Sequence, residues 1–334
     1  MPDILVTGGA GYIGGHIVYE LLDSGYDVAV ADDLSSGNRD VLPPSVQFFH
    51  GDIGHAAFIG RVLDVSRPKS VIHCAGSILV DESIRDPALY YRNNATASLT
   101  LLEQCVKAGV TFFVFSSSAS VYGVPDSIPV PEDATLHPIS PYGWSKLFTE
   151  QQIRDFSRAY GLRHAILRYF NVAGADPGGR TGQGSRVVSH LLKIACQAAL
   201  GLRECVEIFG VDYNTPDGSC IRDFVHVSDL ANAHRMVLEF CHSHNANVTF
   251  NCGNGQGYSV LEVIRAVEAV CGHSIKVKHC DRRLGDPARL VADPSALMRE
   301  LSWTPRFGEL KDMIVTALDW EKAHSFSRKL HLGT

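Results

Sequence analysis

Short, almost uninterrupted apolar runs alternate with helical patterns through the first half of the chain. "DILVTG" reads as a strand, and "YIGGHIVYELLDSG" reads as an amphipathic helix closed by Gly25. Further strands are predicted at "DVAVADD", "VQFFHGD", "KSVIHCAG", "TFFVFSSS" and "HAILRYFNVAG". Long helices are predicted through "PALYYRNNATASLTLLEQCVKAG" and from "SPYGWSK" onward. Strands that are apolar at nearly every position are buried on both faces. Such strands in alternation with helices predict an α/β fold with a doubly wound parallel sheet of the Rossmann type.

The regularity weakens after residue 175. "ADPGGRTGQGSR" reads as a mobile loop. Beyond it, short strands ("CVEIFG", "VTFNCG", "IKVKHC") mix with helices ("DLANAHRMVLEFC", "SVLEVIRAVEAVCG", "PSALMREL"). We therefore expect a Rossmann domain over 1–175 and a smaller α+β substrate-binding domain over 176–334. The stretch 221–255, with the strands "DFVHVSD" and "VTFNCG", is expected to return to the first domain.

Composition narrows the partners. The 334 residues are 45% hydrophobic and 20% charged, with a formal net charge of -6. Without a run of Lys or Arg, nucleic acid and anionic membranes are poor partners. No stretch approaches the roughly 18 apolar residues of a membrane span, and the N-terminus lacks the pattern of a signal peptide. The nine cysteines are scattered without a CxxC, and Cys74, Cys105 and Cys252 sit in apolar runs. That usage suits core residues in a reducing cytoplasm. The "HSH" at His242 to His244 has no Cys or carboxylate cluster beside it, so no metal site is expected.

Two places carry candidate chemistry. "TGGAGYIGGH" sets Gly8, Gly11 and Gly14 between the first strand and the first helix. There glycines permit a tight turn and close approach of a pyrophosphate, and the helix N-terminus offers free N–H groups. Asp32 ends the second strand, where a carboxylate accepts from the adenosine ribose hydroxyls. No cation follows until Arg39, which favours NAD over NADP. Asp52 ends the third strand, and Cys74, Ala75 and Gly76 end the fourth. By position, these reach the adenine and the underside of the cofactor.

The second place joins the fifth-strand end, "FSSSASVYG", to "SPYGWSK". Tyr142 and Lys146 are at i and i+4 and share a helix face. A phenol has a pKa of about 10. An ammonium and an oxidised nicotinamide beside it would lower that value and make Tyr142 a base, with Ser118 holding the substrate oxygen. Each feature also has a plainer reading: a ligand-free glycine turn, a turn aspartate, a surface Tyr–Lys pair.

The ordered motifs "TGGAGYIGGH", "YYRNN", "FSSSASVYG", "SPYGWSK", "RYFNVAGA", "IFGVDYNTPDGSCIRDFVHVSDLA" and "RRLGDPARLVAD" run almost end to end. Together they resemble the UDP-glucose (UDP-galactose) 4-epimerases of the extended short-chain dehydrogenase/reductase superfamily. The resemblance implies Tyr142 as base, Lys146 as its partner and Ser118 as the active-site serine. It implies NAD contacts at Tyr12, Ile13, Asp32, Asp52, Ile53, Cys74, Ala75, Gly76, Asn93 and Phe170, to which the glycines, Ser116, Tyr142 and Lys146 are added. Nucleotide-sugar contacts fall on Asn171, His190, Leu191, Ile208, Phe209, Arg222, Arg283 and Asp286. A planar Arg fork suits a diphosphate.

Several positions depart from the family pattern. Cys74 replaces an aromatic, Ile78 a lysine and His190 an asparagine. Leu290 stands where side-chain size goes with admission of N-acetylated sugars.

The implied activity is NAD-dependent inversion at C4 of a UDP-hexose through a 4-keto intermediate, by a homodimer built on the helices around "YYRNN" and "SPYGWSK". Relatives that eliminate water or decarboxylate carry a carboxylate after the strand-five serine or threonine; Ala119 and Ser120 stand there instead. The alternatives are a UDP-N-acetylhexosamine or UDP-pentose substrate, a reductase that releases NADH, and a non-enzymatic NAD-binding sensor.

Overall fold

The computed structural model describes residues 3–184, 190–283 and 285–331. The strands are β1 Ile4–Thr7, β2 Val28–Asp32, β3 Gln47–His50, β4 Ser70–His73, β5 Phe112–Ser118, β6 Arg163–Tyr169, β7 Asn171–Ala173, β8 Val206–Phe209, β9 Ile221–His226, β10 Val248–Cys252, β11 Gly257–Ser259, β12 Val277–Cys280 and β13 Arg289–Leu290. The helices are α1 Tyr12–Asp23, α2 Ala56–Ser66, α3 Val80–Arg85, α4 Pro87–Tyr90, α5 Ala97–Lys107, α6 Pro141–Tyr160, α7 Leu191–Ala199, α8 Val227–His244, α9 Val260–Cys271, α10 Ser295–Leu301 and α11 Leu310–His331.

Seven parallel strands form the main sheet in the order β10-β6-β5-β4-β1-β2-β3. The winding reverses between β1 and β4, and a crevice opens at the carboxyl ends there. Side chains alternate across this sheet. Leu5, Ala29, Val71, Phe113 and Ile166 face one core with α2, α5 and Ile153 of α6. Ile4, Val6, Val30, Ile72, Val114 and Leu167 face the other with α1 and α8. A period of two, apolar on both sides, is what a sheet covered on both faces requires. The exception is β3, exposed at Gln47 and His50: it is the outermost strand, with a neighbour on one side only.

A third core belongs to the later residues. It joins Leu192 and Cys196 of α7, Ile208, Phe224, Val263 and Val267 of α9, and Met313 and Ile314 of α11. The small sheets here are β11-β9-β13, with β7 against β9, and β12-β8.

Four sequence expectations need correction. "DFVHVSD" does not join the main sheet: β9 pairs with β7, β11 and β13, and α8 begins at Val227, whereas "VTFNCG" supplies β10 beside β6. "HAILRYFNVAG" is not one strand. It breaks at Phe170, so that β6 stays in the main sheet and β7 leaves it. The long helix through "YYRNN" is interrupted by a π-helical turn, Tyr91–Thr96. The described part of "ADPGGRTGQGSR" is anchored: Arg180 bonds Asp176 and Asp23, and Gly182 lies against Trp320. Its Ser185 and Arg186 lie outside the described residues.

Candidate active site

The glycine turn is dictated by backbone crowding. Gly8 has φ +71°, and a Cβ there would stand 2.5 Å from the Ala75 nitrogen. A Cβ on Gly14 would stand 2.1 Å from the Gly8 carbonyl oxygen. The turn therefore nests against Ala75 and into the start of α1, whose N-cap Gly11 has no side chain to satisfy the first amides. Buried Asp32 accepts from the Ala10 N–H (2.9 Å) and the Leu34 N–H (2.8 Å). Burial raises its pKa, and those two donors oppose the rise. Asp52 lies just past β3, half exposed, and accepts from the Gly54 N–H (2.7 Å), while Ile53 is buried. Tyr12 and Ile13 spend their side chains on packing. The Tyr12 hydroxyl donates to the Gly174 carbonyl (2.6 Å) and Ile13 packs on the core, so it is their backbone at the head of α1 that offers itself to a ligand.

The candidate reacting residues lie on α6 and at the end of β5. Ser140 caps α6 by accepting from the Gly143 N–H (3.2 Å), and Pro141 follows at the first turn. This start fixes Tyr142 and Lys146 on the inward face, where both are buried. Lys146 Nζ donates to the Ser116 carbonyl (2.9 Å), lies over the Phe115 ring at 4.9 Å, and stands 6.0 Å from the Tyr142 ring centre. Ser116 is held in turn: its hydroxyl pairs with His234 Nε2 (2.8 Å) and with the Cys74 thiol (3.2 Å). Tyr142 meets Tyr90 edge-on at 6.3 Å. Ser118, at the end of β5, shares a 3.2 Å hydrogen bond with Ser120.

The electrostatics of the protein's own groups supply only part of what the sequence expectation asks. Tyr142 has its pKa raised, not lowered: burial dominates, and only Ser118 favours the ionised form. Lys146 itself is brought down to about 8 by burial, against the pull of Cys74 and Glu150. The ammonium is bonded to the Ser116 carbonyl and does not offset the loss of water around the phenol. The protein's own groups leave Tyr142 a weak acid, and a further positive charge on that face is needed to make it a base.

The later half carries a second set of candidate side chains. Arg222 on β9 donates to Asp286 (2.6 Å) and to the Ile221 carbonyl (2.8 Å). Arg283 lies 3.7 Å over the Phe209 ring, with its Nε buried and unbonded and 3.6 Å from Asp81 of α3. That contact ties the later half to the first. Leu290 is in register with Arg222 and packs with Phe170, Ala119, Val121 and Tyr122, just past Ser118. Asn171 opens β7, and Ile208 is in the third core. His190 caps α7 just before Leu191, pairs with the Gln183 amide and meets Tyr12 edge-on at 6.1 Å. Burial and then Lys193 push its pKa down to about 4.

Asn93 points outward and donates only to the Ser77 hydroxyl (3.1 Å). Its neighbour Asn94 was missed by sequence reasoning. Buried, it accepts from the Ser77 N–H (2.7 Å) and donates to the Ser77 carbonyl (3.0 Å) and to Ser145 (2.9 Å), next to Lys146. Two adjacent asparagines in "YYRNN" signal a polar role, but which one turns inward is decided by the π-helical turn.

A doubly wound sheet with a glycine cradle at its switch point and a buried Ser–Tyr–Lys group beside it defines a dinucleotide-dependent enzyme of the short-chain dehydrogenase/reductase kind. The model of the NAD dependent epimerase/dehydratase family matches residues 4–253, and the chain belongs to this family. It is 51% identical over 322 residues to UDP-glucose 4-epimerase of Azospirillum brasilense, covering 96% of this chain and 92% of that one. Solved structures agree. UDP-glucose 4-epimerase from Brucella ovis in complex with NAD superposes with a TM-score of 0.92 at 39% identity, over 96% of this chain and 98% of that one. The enzyme from Stenotrophomonas maltophila with bound NAD and formylated UDP-arabinopyranose gives 0.93 at 37% identity, over 98% and 100%.

Proposed function

We propose that this protein inverts C4 of a UDP-hexose, interconverting UDP-glucose and UDP-galactose through a bound 4-keto sugar. The observation that carries this reading is the buried Ser118–Tyr142–Lys146 group beside the glycine cradle, with Ala119 and Ser120 where dehydrating relatives place a carboxylate. NAD fits the cradle: side chains are excluded at Gly8 and Gly14, and Asp32 stands where a ribose binds without a neighbouring cation. When bound, NAD supplies an acceptor for the C4 hydride and a positive charge near the phenol. Residues 1–175 with part of 221–255 form the cofactor side, and 176–334 mainly the substrate side.

In this reading Tyr142 removes and returns the 4-hydroxyl proton, Lys146 holds the local charge positive, and Ser118 bonds the same oxygen. Arg222 and Arg283 hold the diphosphate, so the UDP end is fixed while the hexose turns to present its other face. Leu290, beside Phe170, borders the space for the sugar. The functional unit is a homodimer built on α5 and α6, whose surface carries Phe148 at 44% exposure against Tyr91 and Trp144.

A panel of UDP-glucose, UDP-galactose, UDP-N-acetylglucosamine and UDP-xylose, read by product sugar without added cofactor, tests the assignment. UDP-glucose and UDP-galactose are expected to interconvert fastest. Protein that carries NAD yet turns over no UDP-sugar would refute it.

A further inference from the structure

Beneath the reacting groups lies a charged cluster that the mechanism above does not use. Glu150 stands one helical turn beyond Lys146 on α6 and is completely buried, as is Ser117, while Arg168 is 2% exposed. The Glu150 carboxylate accepts from the Ser117 hydroxyl (2.7 Å), from Arg168 Nε (3.0 Å) and Nη2 (2.8 Å), and from Arg154 Nη2 (2.9 Å). Ser117 and Arg168 are cross-strand partners on β5 and β6, so one carboxylate binds both strands to the helix. Arg168 continues the chain of bonds to the Tyr122 hydroxyl (3.0 Å) and the Glu132 carbonyl (2.9 Å), and Tyr122 donates to Asn251 on β10 (2.7 Å). Ser117 adjoins Ser118, and Glu150 shares its helix with Tyr142 and Lys146. All three reacting residues are thus placed through one carboxylate.

We propose that Glu150, paired with Arg168, is a positioning residue for the epimerisation: it clamps the serine strand to the Tyr–Lys helix and supplies a negative charge that favours the Lys146 ammonium. The proposal rests on the reading of Tyr142 and Lys146 given above. A fully buried pair adds little net stability over an apolar one, so a purely structural role gives it weak justification. Its electrostatic reach gives it a better one. The groups facing Lys146 are Cys74 after β4, His73 on β4, the Ser116 carbonyl and Phe115 ring on β5, and Tyr142 and Glu150 on its own helix. Among them Glu150 is the one carboxylate, held ionised: burial works to raise its pKa, but Arg168, Ser117 and Arg154 outweigh that and lower it.

Removing the carboxylate takes away its pull on the Lys146 ammonium and so favours loss of that proton. The alkaline limb of the kcat profile then falls at lower pH. The experiment compares holoenzyme of wild type, Glu150→Gln, and Glu150→Gln combined with Arg168→Met, on UDP-galactose from pH 6 to 10. Glu150→Gln is expected to move the alkaline limb down by about one pH unit, the low end of what one nearby charge does, with KM unchanged. The double variant, which removes the same pull without leaving Arg168 unpaired, is expected to show the same displacement. A limb that stays in place in either variant overturns the electrostatic role. Ser117→Ala tests the clamp without altering charge: kcat is expected to fall several-fold at unchanged KM, and an unchanged kcat overturns it. These two variants also carry the test if Glu150→Gln does not fold. A wild-type protein without activity is the failure of the epimerisation reading itself.

Discussion

Tyr142 shows how far a single residue can be understood from its neighbours. Burial disfavours the phenolate, and Lys146 is engaged by the Ser116 carbonyl. In the proposed mechanism the phenol becomes useful only with positive charge added on its open side, which would couple proton removal to cofactor occupancy. Tyr142→Phe is expected to lower kcat by roughly 10²–10⁴-fold, the ordinary contribution of one acid–base group, while the bound NAD released on denaturation is unchanged. Gly14→Ala is expected to do the reverse. Its methyl would meet the Gly8 carbonyl, which is backbone and cannot swing aside. Purified Gly14→Ala protein should therefore carry little or no NAD, measured by absorbance after denaturation. The local geometry of both was legible in the sequence because spacing reports it, as an i,i+4 pair and a strand-turn-helix glycine pattern. The raised pKa of Tyr142 was not legible, because burial depends on what packs over the ring, Tyr90 included.

At the scale of elements, the π-helical turn Tyr91–Thr96 is the instructive one. Periodicity predicts an unbroken helix there, since one inserted residue leaves an apolar pattern nearly intact. The insertion rotates the succeeding turns by about a third of a revolution. It leaves Asn94 facing inward on Ser77 and Ser145 and Asn93 facing outward. Asn94→Ala removes the partner of the part-buried Ser77 N–H and carbonyl and of the buried Ser145 hydroxyl. It is expected to cost about 1–3 kcal/mol, measured by urea denaturation, whereas Asn93→Ala should stay within about 0.5 kcal/mol on the same scale. The break at Phe170 has a similar origin. β6 and β7 are one apolar run in sequence, but β10 bonds the Phe170 N–H through the Cys252 carbonyl at 3.2 Å, and β9 then captures Asn171–Ala173. Strand partners are long-range facts, and no local pattern encodes them.

At the scale of the molecule, buried histidines set the response to acid. Burial pushes His73 and His226 down to about 3, and His16 and His234 down to about 4. Each is neutral when folded and takes a proton near pH 6.5 when unfolded. Between those values the unfolded chain binds more protons, so stability falls as pH drops through about 6.5 toward 4. Asp223, raised by burial to about 6, works the other way, as do Asp32, Glu132 and Asp229, but His164 and His190, also lowered to about 4, add to the histidine side. The melting temperature is therefore expected to be level from pH 7 to 8 and to fall continuously below about 6.5; a flat profile down to pH 4.5 would contradict the burial of these rings. For assembly, Phe148→Asp places a charge in the exposed aromatic patch on α6. If the proposed dimer forms through α6, the variant is expected to sediment as a monomer where the wild type sediments as a dimer, with the far-ultraviolet spectrum retained.

Local and periodic features could be read from the chain alone: strands apolar on both sides, the glycine turn at the head of α1, and a tyrosine and lysine on one helix face. These follow from spacing along the chain, and spacing is what a sequence records. Packing in three dimensions settled the rest. It chose β10 rather than β9 as the seventh strand, turned Asn94 and not Asn93 inward, brought Arg222 and Leu290 into register beside Phe170, and placed Glu150 under Ser117 and Arg168. Each of those depends on which distant segments share a core, because burial and charge pairing act between residues that only the packed chain makes neighbours.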